Sequence, residues 1–432
     1  MSNAVVTPIP CAHAMTPRPT PGVSRRRLFR LAAATGAGAA LAACAPDRGG
    51  RASTALPAGE FLGAPLAPLA GIEKPGLTVG YIPITCASPI VLADPLNFYA
   101  KHGLKVTLRK YGGWADIRDA FIAGEVDASH LLSPMPLAIS EGYGSAKVPT
   151  RLAALGNING QAITLASKHA GAVKGPADLR GMTLGVPFVY SMHNFLLRHY
   201  LTTEGLDPDR DAKIQVVRPP DMVAQLVSGN IDGYLGPDPF NQRAVFQGAG
   251  FIHRLSRDLW LGHPCCGFAV RDSFVAANPV TYQALLRALS DSAAWSNTPA
   301  NRVRAADAMA PQAYLNQPPE VVQAVLTGAF DNGLGGHVEV ADRIGFDPFP
   351  WRSSAIWMLT QMQRWGLAPA GSYGSPAALG EAASRVFDTS SARAAMAAVG
   401  GAPPAEDLRV EQIMGSTFDP ANPLPWTKRF VA

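Results

Sequence analysis

Trp114 follows two glycines, in Gly112-Gly113-Trp114, at a turn from a strand into a helix. An indole has one N–H donor and a large flat face, so it can serve a ligand or fill a core. Gln161 stands just before a strand, after Asn159-Gly160. Its amide donates and accepts, and a turn residue on the surface is the plainer alternative. His193 lies in Ser191-Met192-His193-Asn194, the first turn of a helix. Protonated, it supplies positive charge; a lone histidine is more often structural. Asp238, in Gly236-Pro237-Asp238-Pro239-Phe240, can orient His193, bridge two parts of the chain, or cap a helix before Pro239. Thr85 and Ser88 precede Pro89 at another helix start. The turns at Ser88-Pro89, Trp114-Ala115, Pro134 and Ser191 each precede or open a helix, where free N–H groups and positive potential gather.

The elements that must position these residues alternate. Strands are predicted over 77–82, 105–110, 128–131, 151–155 and 162–167, with helices over 89–101, 115–123 and 134–141. This pattern argues for a mostly parallel sheet flanked by helices. The alternation restarts after Lys174-Gly175-Pro176, with strands over 183–186 and 214–217 and near Tyr234, and helices over 191–204 and 221–228. A strand returns at 268–271. From Asp272 to about Val399 the chain reads as largely helical, with a helix over 353–365, and the last thirty residues are Pro-rich. Two α/β units, the second inserted into the first, describe a two-lobed, type II-like periplasmic-binding-protein fold with a ligand cleft and a helical C-terminal extension. Lobe I is expected over 76–170 and 263–432, lobe II over 171–262. Hinges fall near Ser167–Lys174 and Asp258–Pro264.

The chain has 432 residues, 47% apolar and 16% charged, enough to bury a sizeable core. Its net charge of +5 is local: residues 1–43 hold Arg18, Arg25, Arg26, Arg27 and Arg30 and no acid. Without them Lys and Arg number 32, equal to Asp and Glu, so nothing suggests a nucleic-acid partner. Ser24-Arg25-Arg26-Arg27-Leu28-Phe29-Arg30, followed by small and apolar residues, describes an export leader over 1–43. The paired arginines resemble the twin-arginine consensus, with Leu28 and Phe29 swapped. Leu41-Ala42-Ala43-Cys44 resembles a bacterial lipobox, which implies a lipidated Cys44 on a Pro/Gly/Ala/Ser-rich tether over 44–75 and an exported protein held at the membrane. Translation can start at Met1 or Met15.

Of the five cysteines, Cys11 falls in the leader and Cys44 at the lipid site, leaving Cys86, Cys265 and Cys266. Cys86 can pair with Cys265 or Cys266, and spacing does not decide. No CxxC or His-rich spacing suggests a zinc site. No Walker-type GxxxxGK[ST] and no Gly-x-Ser-x-Gly occurs, so neither an ATPase nor a hydrolase elbow is expected.

Several motifs in order resemble the nitrate- and bicarbonate-binding proteins of bacterial ABC importers. They are Gly80-Tyr81-Ile82-Pro83-Ile84-Thr85 with Ser88-Pro89; Gly112-Gly113-Trp114; Gly124-Glu125-Val126-Asp127-Ala128; Leu132-Ser133-Pro134-Met135-Pro136; Asn159-Gly160-Gln161; and Gly236-Pro237-Asp238-Pro239-Phe240-Asn241. Asp342-Arg343-Ile344 and Trp357–Gly366 resemble that family's C-terminal half, so the likeness spans about 76–430. It implies a monomeric, non-enzymatic solute-binding lipoprotein with no cofactor or metal, which takes a small oxyanion and passes it to a separate permease and ATPase. It places Thr85, Ser88, Trp114, Gln161, His193, Asp238, Cys265 and Cys266 at the ligand. One departure stands out. After His263-Pro264, nitrate binders carry a basic residue and bicarbonate binders an acidic one; here Cys265-Cys266-Gly267 follows. These cysteines can be packing residues, disulfide partners of Cys86, or ligand contacts. An anion would then rely on helix dipoles and His193, or the ligand differs: an organosulfonate, bicarbonate, or a thiamine-pyrimidine precursor. A pyrimidine-synthase-like enzyme on the same fold and a cytoplasmic nitrate sensor are the competing functions, and the export leader argues against both.

Overall fold

A computed structural model describes residues 68–430, all within one compact unit of the chain; the leader, Cys44 and the tether up to residue 67 lie outside the described residues. Two sheets organise it. The first runs β13-β4-β10-β3-β1-β2, from β1 (Gly76–Tyr81), β2 (Lys105–Lys110), β3 (Ala128–Leu132), β4 (Thr150–Asn159), β10 (Pro264–Arg271) and β13 (Ile344–Gly345). The second runs β7-β6-β8-β5-β9, from β5 (Gln161–Ala166), β6 (Thr183–Val186), β7 (Lys213–Val216), β8 (Gly233–Pro237) and β9 (Gly250–Leu255). A hairpin of β11 (Ala329–Asp331) and β12 (His337–Glu339) stands apart.

The sheets are mixed rather than mostly parallel. β1, β2 and β3 run parallel, as do β6, β7 and β8. β10 runs antiparallel between β3 and β4, and β5 runs antiparallel between β8 and β9. The reason is topological: β4 leaves one sheet directly into β5 of the other, and β9 returns to β10. Apolar alternation reports that strands and helices succeed one another, not which way a strand runs.

The division at residue 170 is corrected by the pairing. β5 already belongs to the second sheet, so the outward crossing lies at Asn159-Gly160, not at Ser167–Lys174. Both residues have left-handed backbone, φ 56° and 76°, which turns the chain between lobes. The return crossing through Ser256–His263 falls close to the expected segment. The two crossings are tied: Asn159 N donates to His263 O (3.0 Å) and Gly262 N to Asn159 Oδ1 (2.9 Å).

Helices fill the connections: α1 (Ser88–Leu92), α2 (Phe98–Lys101), α3 (Trp114–Ala123) and α4 (Pro134–Glu141) in the first lobe, and α5 (Met192–Thr202), α6 (Met222–Val227) and α7 (Phe240–Phe246) in the second. The single helix expected over 89–101 is broken into α1 and α2. Asp94 precedes Pro95, which disfavours helical backbone before it, and Asn97 is left-handed at φ 60°. Helices α8 (Asp272–Ala277), α9 (Pro279–Asn297), α10 (Arg302–Met309) and α11 (Pro319–Thr327) follow β10. The C-terminal extension holds α12 (Arg352–Arg364), α13 (Pro376–Val386) and α14 (Thr389–Ala398), and it touches both lobes. Arg385 pairs with Glu141 of α4 (2.6 Å), while Tyr190 Oη donates to Leu367 O (3.0 Å) and Arg364 Nη1 meets His199 Nδ1 (3.1 Å) in the second lobe.

Candidate ligand-binding site

The C-terminal ends of β1 and β3 form one edge of the first sheet, and β10 begins beside them. The C-terminal ends of β6 and β8 form the corresponding edge of the second, where β5 begins. In open α/β sheets, ligands bind outside these ends. Most of the expected site residues are here. Gln161 opens β5 opposite Pro237; Asp238 follows β8; Cys266 pairs in register with Leu132 and Asn157; Trp114 starts α3 after β2; and His193 lies in the first turn of α5.

Several side chains at this edge are buried yet make no hydrogen bond among the described residues. They include Trp114 Nε1, both amide atoms of Gln161, both ring nitrogens of His193, His130 Nε2 and Ser133 Oγ. Buried polar atoms are nearly always paired, so a cluster of such exceptions at one sheet edge demands a cause. The rings of Trp114 and His130 lie 5.4 Å apart at 60°. Ser133 N donates to Cys265 O (3.0 Å), which joins this end of β3 to the start of β10.

Local sequence explains how they meet. Gly113 at the N-cap of α3 has extended backbone, and Trp114 begins the helix. A Cβ on Gly113 would come within 3.1 Å of Arg218 Cδ, so this turn also lies against a second-lobe cation. Ser191 caps α5 through its hydroxyl, which accepts from Asn194 N at 3.0 Å and fixes the turn that carries His193.

Thr85, Ser88 and Asp238 sit at the site's margin but are satisfied internally. Thr85 Oγ1 donates to Asp238 O (2.9 Å), and Thr85 N to the same oxygen (3.0 Å). Ser88 Oγ donates to Thr85 O (2.6 Å). Asp238 neither orients His193 nor caps α7: Arg343 takes both its carboxylate oxygens at 3.0 Å, with both side chains fully buried. Arg343 lies next to β13 on the first sheet's edge and Asp238 at the end of β8, so the pair bridges the lobes, one of the alternatives the motif allows. Arg343 also donates to Gln242 Oε1 (2.7 Å) and lies 4.2 Å from the Phe330 ring centre.

His193 differs most from expectation. Burial pushes its pKa down to about 4, so in the unliganded protein it is neutral near pH 7 and is no fixed cation. Burial likewise holds His130 at about 4. His130 Nδ1 receives Ile82 N over a long 3.5 Å, which leaves the neutral ring's proton on Nε2. A separate cleft of about 470 Å³ between the lobes is lined by exposed Lys110 on one side and half-buried Arg243 on the other, and none of the expected site residues lines it.

Cys86, Cys265 and Cys266 come together. All are buried free thiols, with Sγ–Sγ separations of 3.6 Å for Cys86–Cys265 and for Cys265–Cys266, and all three sulfurs lie within 4.8 Å of one another. Adjacent residues on a regular strand point to opposite faces. Here the register jumps from Pro264–Ile158 to Cys266–Asn157, a bulge that leaves Cys265 without an opposite residue and turns both sulfurs the same way. Asn157 Oδ1 accepts from Cys266 N (3.2 Å) and pins the bulge. Burial pushes the Cys86 and Cys266 thiols up. Burial acts on Cys265 too, but donation from its two thiol neighbours, with His193 and His263 nearby, makes it the first of the three to ionise.

Sequence reasoning omitted His130, Ser133 and Arg343 from the site. Ser133 and Arg343 stand inside motifs already singled out, and His130 interrupts the apolar strand Ala-Ser-His-Leu-Leu. That interruption is the usable signal.

A model of the NMT1-like family matches residues 70–310. The chain is 34% identical over 314 residues to the bicarbonate transport ATP-binding protein CmpC of Synechocystis sp.; the match takes in 69% of this chain and 47% of that protein, about half the relative's length. It is 31% identical over 434 residues to the nitrate/nitrite binding protein NrtA of Synechococcus elongatus, covering 93% of this chain and 96% of that protein. The crystal structure of the periplasmic nitrate-binding protein NrtA from Synechocystis PCC 6803 aligns with a TM-score of 0.78 at 26% identity, over 82% of this chain and 98% of that one.

Proposed function

The chain belongs to the NMT1-like family, among the nitrate/sulfonate-type substrate-binding proteins of ABC importers, and from that premise we propose that it captures a compact oxyanion, nitrate or nitrite first, and delivers it to such an importer. The permease and ATPase are separate chains. The protein is exported, works as a monomer, and is tethered by lipid on Cys44. It binds and releases, with no reaction of its own.

One observation carries the reading: unpartnered buried donors converge where two sheet edges meet. Nitrate is planar, singly charged and made of acceptors only. Trp114 Nε1–H, the Gln161 amide and His193 are the groups such an ion needs. Helices α3 and α5 begin at Trp114 and Met192, adding positive potential from either lobe. Gln161 Oε1, an acceptor, suits a protonated His193 rather than the anion.

The test is calorimetry with nitrate, nitrite, bicarbonate, an alkanesulfonate and a hydroxymethyl-pyrimidine. Trp114→Ala or Gln161→Ala removes one donor to an ion, worth about 1.5–3 kcal/mol, or roughly 10- to 100-fold in Kd. Unchanged nitrate affinity in both variants would remove the site. A response to an organic ligand alone would replace the oxyanion.

A further inference from the structure

We propose that Cys86, Cys265 and Cys266 form a binding site for a soft metal cation, Cu(I), beside the anion-binding groups. The proposal does not depend on the anion reading, because the two sites have separate ligands and separate readouts.

The geometry separates this from packing and from a disulfide. A disulfide needs sulfurs about 2.05 Å apart. Sulfurs sharing one metal at about 2.3 Å stand about 3.8–4.0 Å from each other. The two observed separations of 3.6 Å lie close to the second value and far from the first. Packing alone needs no convergence: a regular β10 would send Cys265 and Cys266 to opposite faces, and the bulge with its Asn157 bond brings them together. The third sulfur arrives from a different part of the chain, just after β1. Gly156 of β4 makes room for it, since a Cβ there would stand 2.7 Å from Cys86 O.

The donor set selects the ion. Three sulfurs and no oxygen exclude hard cations. Zn(II) in a closed site takes four ligands, and among the described residues no histidine or carboxylate joins the three sulfurs within 4.8 Å. Cu(I) is satisfied by two or three thiolates. Each ligating thiol forms a Cu–S bond and gives its proton to solvent, and no electron moves. The resulting negative charge faces His130, His193 and His263. All three rings are buried beside Cys265.

The full chain, reduced and kept under argon, is titrated with Cu(I) against a chromophoric Cu(I) chelator, with Zn(II) as a parallel arm. One Cu(I) per chain is expected, with X-ray absorption showing two or three sulfur neighbours. Cys86→Ala, Cys265→Ala and Cys266→Ala should each weaken Cu(I) by more than about 100-fold, the upper end of what losing an outer-shell partner costs. The absorption spectrum of the unaltered protein keeps the proposal testable if a variant fails to fold. No Cu(I) binding, Zn(II) held more tightly than Cu(I), nitrogen or oxygen neighbours alone, or unchanged affinity in all three variants would overturn it.

Discussion

At the residue scale, His193 is a buried base with no hydrogen-bond partner among the described residues, and the proposed anion would meet it there. Its ring is neutral when the site is unliganded because burial holds its pKa near 4. An anion placed beside it favours the charged form and raises that value. Binding then takes up a proton, and affinity rises as pH falls through the raised pKa toward the free one. Nitrate should bind more tightly at pH 6 than at pH 8, and calorimetry in buffers of different ionisation enthalpy should show proton uptake. His193→Asn should flatten both trends; equal affinity at the two pH values would mean that another group meets the charge. The Asp238–Arg343 pair makes a different case. Both side chains are fully buried, so each needs the other. Arg343→Met strands a carboxylate and should cost about 3–5 kcal/mol in denaturant unfolding, whereas Asp238→Leu with Arg343→Met should recover much of that. His193 was legible because it sits in the first turn of a helix within a recognisable motif. The partner of Asp238 was not, because Arg343 lies 105 residues downstream and no local pattern joins them.

At the element scale, the strand with the most consequence is β10. Its core was legible as Phe-Ala-Val-Arg, but its start was not. The strand begins at Pro264 with a bulge, and the period-2 rule fails where two cysteines face the same way. β9 is not legible for a related reason: it carries His253 and Arg254 at an edge of the second sheet, so its apolar run is short. The helix over 134–141 is legible because Pro134 opens it; in the structure Gly142 closes it at φ 78°. Gly156 shows what the strand pairing hides. Nothing in Leu155-Gly156-Asn157 announces that the Cys86 carbonyl lies over it. Gly156→Ala should therefore cost about 1–3 kcal/mol in unfolding experiments, because neither backbone can retreat without moving β4 or the turn after β1. A loss within about 0.5 kcal/mol would mean that the turn yields, as an ordinary surface site does.

At the scale of the whole molecule, the C-terminal extension binds the lobes to one another, and a buried histidine forms part of the joint. Arg364 on α12 reaches His199 on α5 at 3.1 Å, and Arg364 also donates to Thr202 Oγ1 and Arg429 O. His199 can accept from a guanidinium only while its Nδ1 is bare. Burial first, then the Arg364 charge, hold its pKa at about 3. His130 and His193 are held near 4 by burial. In the unfolded chain all three titrate near 6.5. Between pH 6.5 and about 4 the unfolded chain therefore binds more protons than the folded one, and stability rises with pH across that window. Each histidine contributes a slope of up to about 1.4 kcal/mol per pH unit there, and none above about pH 7. Denaturant midpoints should be flat from pH 8 to 7 and fall steeply from 6 to 4.5. His199→Phe removes the titrating ring but leaves Arg364 short of an acceptor, so it should lower stability at pH 7 and yet make the decline with acid shallower by about one proton. A decline of unchanged slope would place the acid sensitivity elsewhere and leave the joint between α5 and α12 indifferent to pH.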